Sequence, residues 1–485
     1  DAMIEFRPVF HVIGLILVVL GSLMLVPALV DHFTESGNAG AFVSAAAMTV
    51  GLGLFIALAN RSEISAEFDL RQAYVLTVLV WMVVPAFGAV PFVLGAPDLG
   101  LTDAYFEAVS GITATGATVI TGLDGLPAGM NLWRGMLNAL GGLGIAILAM
   151  IFLPIMRVGG MQFFKVQGYD TFGKALPRAG DIALALLWVY LGLVLIAGLT
   201  YSALGIDWLD AAVYAMSSIS TGGFTATDTS FHKYAGPAEY AGALFMVLGA
   251  LPYVLYVQIL SGGSPARLWR DPQVRGFLTG LGAATAAVVG WRVLIDGAAF
   301  EPSLRVGLFN VVSIFTGTGF GTGDFTAWGG FALVVTFVIG LVGGCSGSST
   351  GALSVFRVQL MFAAFWAELR RVATPNRVVP LRYGGRSVDA ETLDGLMLFV
   401  FAFVFGMGVL SVAISLTGVD ATSALFAAWA TLGNVGYAVG PMTAKTATFV
   451  DFPGAAKWLM IAGMLLGRIA LVAVFVMVLP RFWRA

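Results

Sequence analysis

The sequence predicts an all-α polytopic membrane protein, and two observations carry that prediction. Apolar residues make up 59% of the 485 positions and charged residues only 11%, well below the roughly 25% charged residues of an average soluble domain. Apolar windows of about twenty residues, the length that crosses a bilayer as a helix, recur along the whole chain. This balance is typical of a protein built from many spans rather than of a soluble domain with one anchor.

Ten windows are long enough to be predicted as spans. The first is longer than the 7–15-residue apolar region of a signal peptide and has no A-x-A-like cleavage site, so it is predicted to be a mature span. Two spans come first and four pairs follow: 9–30 and 40–60, then 73–95 with 131–155, 181–204 with 237–260, 275–296 with 328–366, and 393–417 with 455–480.

A segment too short to cross the bilayer lies between the members of each pair, and each is predicted to be a re-entrant half-helix: 101–116, 209–222, 304–319 and 421–436. Each ends in a glycine turn: Ala114-Thr115-Gly116-Ala117-Thr118, Ser220-Thr221-Gly222-Gly223-Phe224, Gly317-Thr318-Gly319-Phe320-Gly321 and Asn434-Val435-Gly436-Tyr437-Ala438. Four pseudo-symmetric span–half-helix–loop–span repeats are therefore predicted around a central pore. The predicted boundaries are 1–70 for two extra N-terminal helices, then 71–160, 161–262, 263–372 and 373–485.

The glycine turns have the chemistry of a cation filter. A dehydrated cation needs oxygen ligands, and backbone carbonyls can replace its water shell. Glycine adopts the required backbone angles without a Cβ clash, and non-helical backbone is tolerated at membrane depth where it lines a cavity or is buried in protein. Secondary transporters also contain discontinuous helices, but four turns of the same polarity favour a pore. Nearby hydroxyls would add ligands or hold the turns: Thr113, Thr115, Thr118, Ser220, Thr221, Thr316 and Thr318.

The distribution of Lys and Arg predicts that both termini are cytoplasmic. With the N-terminus inside, most basic residues fall on the inner face, chiefly in the loops 157–178, 261–275 and 366–391, which fits the positive-inside rule. The glycine turns then open outward, where acidic loops are expected to concentrate cations. The few basic residues on the outer face are Arg134, Lys233, Arg292, Arg305, Lys445 and Lys457.

Two features inside predicted spans suggest a gate. The span 328–366 is interrupted by Gly343-Gly344-Cys345-Ser346-Gly347-Ser348-Ser349-Thr350-Gly351, where each glycine weakens a helix by about 1 kcal/mol relative to alanine. A kinked helix with small-residue packing is the alternative. Arg468 lies deep in the span 455–480. Burying it in lipid costs about 2.5–3.5 kcal/mol, so it is expected to face the pore or to satisfy carbonyls at a helix break.

These motifs resemble a known family. The fourth turn is similar to the Thr-Val-Gly-Tyr-Gly filter of potassium channels. The four turns, the interruption 343–351 and the ending, which contains Gly467-Arg468-Ile469-Ala470-Leu471 and Pro480-Arg481-Phe482-Trp483-Arg484, make the chain resemble the Trk/Ktr/HKT superfamily of cation transporters over nearly its whole length. The resemblance is strongest to the bacterial TrkH/TrkG branch of potassium uptake subunits. The resemblance implies K⁺ bound at the backbone carbonyls of Thr115, Gly116, Thr221, Gly222, Thr318, Gly319, Val435 and Gly436.

The resemblance also implies a gate and partners. Residues 343–351 would form an intramembrane loop below the filter, with Arg468 as a positive barrier in the conduction path. The pore subunit would be a homodimer, surrounded by membrane lipids, that docks a cytosolic nucleotide-binding regulatory subunit of the TrkA type on its basic inner loops. Nothing in the chain suggests nucleic-acid binding.

The predicted function is potassium uptake across the bacterial inner membrane through a gated, channel-like pore. An inside-negative potential of 100 mV contributes about 2.3 kcal/mol per charge, so no chemical energy is required. The expected cofactor content is none, with K⁺ as the transported ion. A proton- or sodium-coupled symporter is the alternative. An enzyme is not expected, because the three histidines are scattered and Cys345 is the single cysteine.

Overall fold

The computed structural model describes residues 5–61, 70–148, 179–323, 325–374, 380–469 and 471–484. The predicted basic loop 157–178 and the end of the predicted span 131–155 lie outside these residues. The described chain is helical except for loops, short 3₁₀ turns and one antiparallel hairpin, in which Arg382–Tyr383 pairs with Arg386–Ser387. The prediction of an all-α polytopic membrane protein is confirmed, and the hairpin is a small addition to it.

The α-helices differ in length, from 5 residues to 26. In chain order they are α1 (Arg7–Leu23), α2 (Leu25–Phe33), α3 (Ala39–Ala59), α4 (Leu70–Gly88), α5 (Val90–Leu94), α6 (Leu101–Ile112), α7 (Ala128–Ile147), α8 (Ala179–Ala203), α9 (Trp208–Ile219), α10 (Pro237–Ala250), α11 (Tyr253–Leu260), α12 (Ala266–Arg270), α13 (Pro272–Leu294), α14 (Phe300–Phe315), α15 (Gly330–Val342), α16 (Val355–Ala373), α17 (Ala390–Ser415), α18 (Ala421–Leu432), α19 (Gly454–Ile469), α20 (Leu471–Val478) and α21 (Pro480–Arg484).

Six helical segments within the described residues are long and apolar enough to cross a bilayer, against the ten spans that the sequence predicts. They are the two N-terminal spans and the first member of every predicted pair. A seventh is obtained if α10 and α11 are counted as one span despite the bend between them. The segments are Arg7–Phe33, Ala39–Ala59, Arg71–Leu94, Gly180–Ala203, Pro272–Leu294 and Ala390–Ser415.

The second member of each pair departs from a continuous apolar helix. Helices α10 and α11 meet at 87° beside Pro252, whose ring removes a backbone donor and ends a helix. Helices α15 and α16 are separated by residues 343–354. Helix α7 carries the buried Arg134, and α19 carries the buried Arg468. Each of these four predicted spans is thus either broken or carries a buried arginine.

Helix α2 is joined to the start of α7 through a buried carboxylate. Asp31, at the end of α2, is 1% exposed. Its side chain accepts a hydrogen bond of 2.7 Å from the N–H of Gly129, at the start of α7, and one of 3.1 Å from the amide of Asn38. Asn38 in turn accepts a hydrogen bond from the N–H of Ala96. This network joins three segments of the chain at one buried point.

We predict that Asp31→Ala lowers the thermal unfolding midpoint in detergent. The substitution leaves the buried N–H of Gly129 and the Asn38 amide without their acceptor, at a cost of about 1–3 kcal/mol. The control is Asp207→Ala, since Asp207 is exposed and its side chain does not cap α9. Equal midpoints for the two variants would contradict the prediction.

Candidate ion pathway

The short helices α6, α9, α14 and α18 end in the same hydrogen-bond pattern. In each, one N–H group donates to the carbonyl five residues earlier, and the preceding N–H donates to the carbonyl three residues earlier. That preceding residue has a φ between +47° and +74°. Together these features form a Schellman motif, which ends a helix through one residue in the left-handed region. The left-handed residues are Ala114, Thr221, Gly317 and Asn434.

The shared motif aligns the four turns residue by residue and corrects the second one. Two positions after each left-handed residue lies a glycine that also has positive φ, and these are Gly116, Gly223, Gly319 and Gly436. The predicted match of Gly222 with Gly116 is therefore wrong by one residue: Gly222 aligns with Thr115, and Thr221 with Ala114. The remaining predicted filter residues keep their alignment: Thr115, Gly116, Thr318, Gly319, Val435 and Gly436.

The four aligned glycines, called the ring glycines below, each touch the next turn through the backbone. A Cβ atom on Gly116 would lie 2.5 Å from the carbonyl oxygen of Gly222. The other three Cβ atoms would lie closer still to a carbonyl oxygen of the following turn: Gly223 to Thr318, Gly319 to Val435, and Gly436 to Thr115. Because the fourth turn contacts the first, the contacts close a ring. Real Cβ atoms essentially never approach within 3.0 Å, so a side chain at any of these positions would force the neighbouring turn to shift.

Cavities lie on both sides of the ring. One of about 570 Å³ is lined by all four ring glycines and by residues that follow them, such as Thr118 and Thr225. The other, of about 70 Å³, lies on the side of the helix ends and is lined by Arg357, Arg468 and residues of the loop 343–351. The four helices also direct their C-terminal ends, which carry partial negative charge, toward the ring. This arrangement is electrostatically suited to a cation between the two cavities.

The interruption between α15 and α16 is an ordered loop whose backbone is hydrogen-bonded to the bend between α10 and α11. Cys345 N–H donates to the Ala250 carbonyl at 3.1 Å, and Tyr253 N–H donates to the Gly347 carbonyl at 3.0 Å. The Tyr253 hydroxyl lies 2.9 Å from the Ser349 hydroxyl and donates to the Ile219 carbonyl at the end of α9. The two helix breaks therefore satisfy each other's polar groups.

The predicted gate residues divide between the small cavity and the protein around it. The loop residues that line the cavity are Cys345, Ser346, Gly347, Ser348, Thr350 and Gly351. Gly343, Gly344 and Ser349 are not part of its lining. The interruption is thus a loop rather than the kinked helix that the sequence left open.

Arg468 joins this loop to the first glycine turn. Its guanidinium donates to the Ser349 carbonyl at 3.1 Å, to the Ala114 carbonyl at 2.9 Å and to the Thr113 carbonyl. The side chain is 6% exposed and lines the small cavity. Gly467, next to Arg468, allows α19 to approach the turn after α18, since a Cβ on Gly467 would lie 2.6 Å from Asn434 Oδ1. Arg468 therefore satisfies carbonyls of two segments and borders the small cavity, while its position in a conduction path stays a prediction.

Two buried basic residues are not expected from the sequence, because the positive-inside rule assigns them to the outer face. Arg134 is fully buried and lies 2.9 Å from Glu107 of α6. Lys457 is 6% exposed and lies 2.8 Å from Asp103 of the same helix. The available signal was position, since Arg134 lies within the predicted span 131–155 and Lys457 within 455–480.

Within the described residues, no group of three or more His, Cys, Asp or Glu side chains could hold a metal ion.

We predict that Gly223→Ala lowers potassium uptake by at least about tenfold and that Gly222→Ala has a smaller effect. Gly223 has a φ of +77°, and its Cβ would collide with the backbone carbonyl of Thr318. Gly222 has no such angle, and its Cβ would meet the Asn138 side chain, which can move. Tracer uptake into cells with matched protein levels measures the difference, for which tenfold corresponds to about 1.4 kcal/mol. A larger loss for Gly222→Ala would contradict the alignment.

Comparison with known proteins identifies the family to which the chain belongs. The family model described as "TrkH: Cation transport protein" matches residues 43–484. The Trk system potassium uptake protein TrkI of Halomonas elongata is 38% identical, over 100% of this chain and 98% of the relative. The corresponding protein TrkH of Escherichia coli K12 is 34% identical, over 99% and 100%.

A solved structure supports the same assignment. The crystal structure of the potassium transporter TrkH from Vibrio parahaemolyticus matches with a TM-score of 0.91 at 29% identity, covering 99% of this chain and 100% of that one. The prediction of a transport protein rather than an enzyme is confirmed by these relatives. The resemblance inferred from the glycine turns and the end of the chain is also confirmed, and the chain belongs to the TrkH family of cation transport proteins.

Proposed function

We propose that this chain is the pore-forming subunit of a potassium uptake system in the bacterial inner membrane. K⁺ enters from the larger cavity, exchanges water for backbone carbonyls at the ring, and leaves through the smaller cavity. One observation carries the proposal: the four turns contact one another in a closed cycle. The relatives named above as potassium uptake proteins suggest the ion. The proposed carbonyl ligands are those of Thr115, Gly116, Gly222, Gly223, Thr318, Gly319, Val435 and Gly436.

The loop 343–351 and Arg468 form the proposed gate. They line the small cavity on one side of the ring, where a positive charge raises the energy of a passing cation. Opening requires the loop to leave this position, which breaks the bond between Arg468 and the Ser349 carbonyl and the contact between Tyr253 and Ser349. The membrane potential drives the inward flow through the open pore.

The chain is proposed to have both termini in the cytoplasm and to act as a homodimer with a TrkA-type regulatory subunit. The segments 261–275 and 366–391 are basic, and the described arginines of α12 and the end of α16 are exposed. Such a surface suits an acidic docking partner. Movement at α12 would reach the gate through α11, whose first residue, Tyr253, contacts the loop.

Ion-coupled symport remains a second candidate, because Glu107 and Glu239 are among the carboxylates that are buried in the described part of the chain. Glu107 is 0% exposed and Glu239 is 1% exposed. Both are paired with arginine, Glu107 with Arg134 and Glu239 with Arg305. The channel-like proposal requires that K⁺ flux into proteoliposomes persists without proton or sodium gradients. Flux that stops under these conditions would favour symport.

We predict that Gly116→Ser relaxes selectivity and raises relative sodium permeability by about tenfold. The added side chain would press on the Gly222 carbonyl, 2.5 Å from the Cβ position, and a factor of ten needs only about 1.4 kcal/mol of differential stabilisation. The matched control is Gly122→Ser, since Gly122 has a similar φ of +76° but no atom within 4 Å of a Cβ. Potassium-limited growth of a transporter-deficient cell at high sodium, with reversal potentials in bilayers, measures the ratio. Wild-type selectivity in Gly116→Ser would contradict the ring assignment.

We predict that Arg468→Ala raises unstimulated potassium flux by about tenfold, because it removes a positive barrier and the tie to the loop. A factor of ten corresponds to a barrier change of about 1.4 kcal/mol, which is modest for a charge–charge interaction inside a protein. Arg468→Lys keeps the charge but loses the planar fork that reaches three carbonyls, so its flux should lie between the two. Unchanged flux in Arg468→Ala, at equal protein levels, would remove Arg468 from the gate.

A further inference from the structure

In three of the four short helices, a polar side chain at the same position bonds to the chain segment that follows the ring glycine. The position lies nine residues before the ring glycine and is occupied by Glu107, Tyr214 and Asn310. The Tyr214 hydroxyl donates to the Ser230 carbonyl, and the Asn310 amide donates to the Thr322 carbonyl. Glu107 accepts hydrogen bonds from the Thr118 hydroxyl at 2.8 Å and from the Val119 N–H at 3.0 Å. Of these three side chains, only Glu107 is charged.

The Glu107 carboxylate is neutralised by Arg134, and the pair is removed from solvent. The side chains are 0% and 1% exposed. An unpaired carboxylate at this depth would be strongly unfavourable, so a cation beside it is required. A lysine would also meet that requirement, so what an arginine adds at this position is the set of remaining contacts of its guanidinium.

Those contacts reach the second turn. Arg134 Nη1 donates to the Thr225 carbonyl at 2.6 Å, and the guanidinium carbon lies 4.3 Å from the centre of the Phe224 ring. Phe224 and Thr225 directly follow the ring glycine Gly223. Nη2 lies 3.3 Å from the Thr118 hydroxyl in the first turn. One side chain therefore joins the chain segments that leave the first and second turns.

We propose that the Glu107–Arg134 pair is a positioning pair that sets the spacing between the first and second turns and thereby the K⁺/Na⁺ selectivity of the ring. This inference rests on the proposed function. A ring of carbonyls discriminates by its size and by the field of its dipoles, and both depend on how neighbouring turns are held. The pair acts through Thr118, Phe224 and Thr225 rather than by binding the ion.

A second pair offers a comparison. Glu239 accepts hydrogen bonds from Arg305 and from the Thr322 hydroxyl, which belongs to the segment that follows the third turn. The Arg305 side chain is 19% exposed, however, and also pairs with the exposed Glu301. The ion pair between Arg305 and Glu301 contributes little to stability, because Glu301 is exposed. The Glu107–Arg134 pair, which is removed from solvent, is therefore the stronger candidate for a determinant of selectivity.

The first test is Arg134→Lys, which keeps the positive charge beside Glu107 but cannot present a planar fork to Thr225, Thr118 and Phe224. We expect potassium flux in proteoliposomes to continue and relative sodium permeability to rise by about tenfold, as for the loss of one net hydrogen bond at the upper end of its range. The matched control is Arg292→Lys. Arg292 also pairs with a carboxylate, Asp296, and also contacts an aromatic ring, but lies partly exposed away from the turns.

The second test separates stability from selectivity. Arg134→Gln leaves the Glu107 charge buried without its partner, so both the thermal midpoint and selectivity should fall. Adding Glu107→Gln removes that charge, so the double variant should recover most of the midpoint. Its relative sodium permeability should stay about tenfold above wild type, because a glutamine side chain is too short to replace the arginine fork.

The outcomes are distinguishable. Wild-type protein that carries no potassium-selective flux overturns the proposed function and this inference together. A selective wild type with unchanged permeability ratios in Arg134→Lys and in the double variant overturns this inference alone and makes the pair purely structural. A raised ratio in Arg292→Lys equal to that in Arg134→Lys would also overturn it.

Discussion

Backbone that leaves a helix inside a membrane must find hydrogen-bond partners within the protein, and the rest of this structure follows from that constraint. Four helices end at membrane depth, and each closes its last turn with the same pair of backbone hydrogen bonds through a left-handed residue. The chain then continues through a ring glycine that packs on a carbonyl of the next turn. Every turn is thus in backbone contact with its neighbours.

The same constraint explains why the helices after the turns are broken or polar. The bend beside Pro252 and the loop 343–351 each expose backbone groups, and each supplies partners to the other. Arg468 takes up carbonyls from the first turn and from the loop. Arg134 does the same on the other side of the ring, with the Thr225 carbonyl. The buried arginines are costly in a membrane protein, and here each offsets that cost by satisfying groups at a helix end or beside a turn.

Much of this arrangement could be predicted from single segments of the sequence. Apolar windows identify the long helices, since span length depends only on bilayer thickness and helix rise. Segments too short to span, followed by glycine, identify the half-helices. The register of the second turn could not be predicted, because Gly222 and Gly223 are equally free to adopt positive φ and only the end of α9 selects between them. The burial of Arg134 was missed although the residue lies within the predicted span 131–155, since loop-counting rules treat a basic residue near a span end as solvated.

The sequence by itself determined the class of protein, the number of glycine turns and the family, because hydropathy and glycine content are local properties that each segment carries alone. Only the tertiary structure decided which glycines meet, which breaks pair with each other and which charges lie between turns. Residues such as Thr115 and Gly436, or Arg468 and Ser349, are far apart in the chain and come into contact only in the folded protein. Contacts of that kind depend on the distances between segments, and no local pattern of residues encodes them.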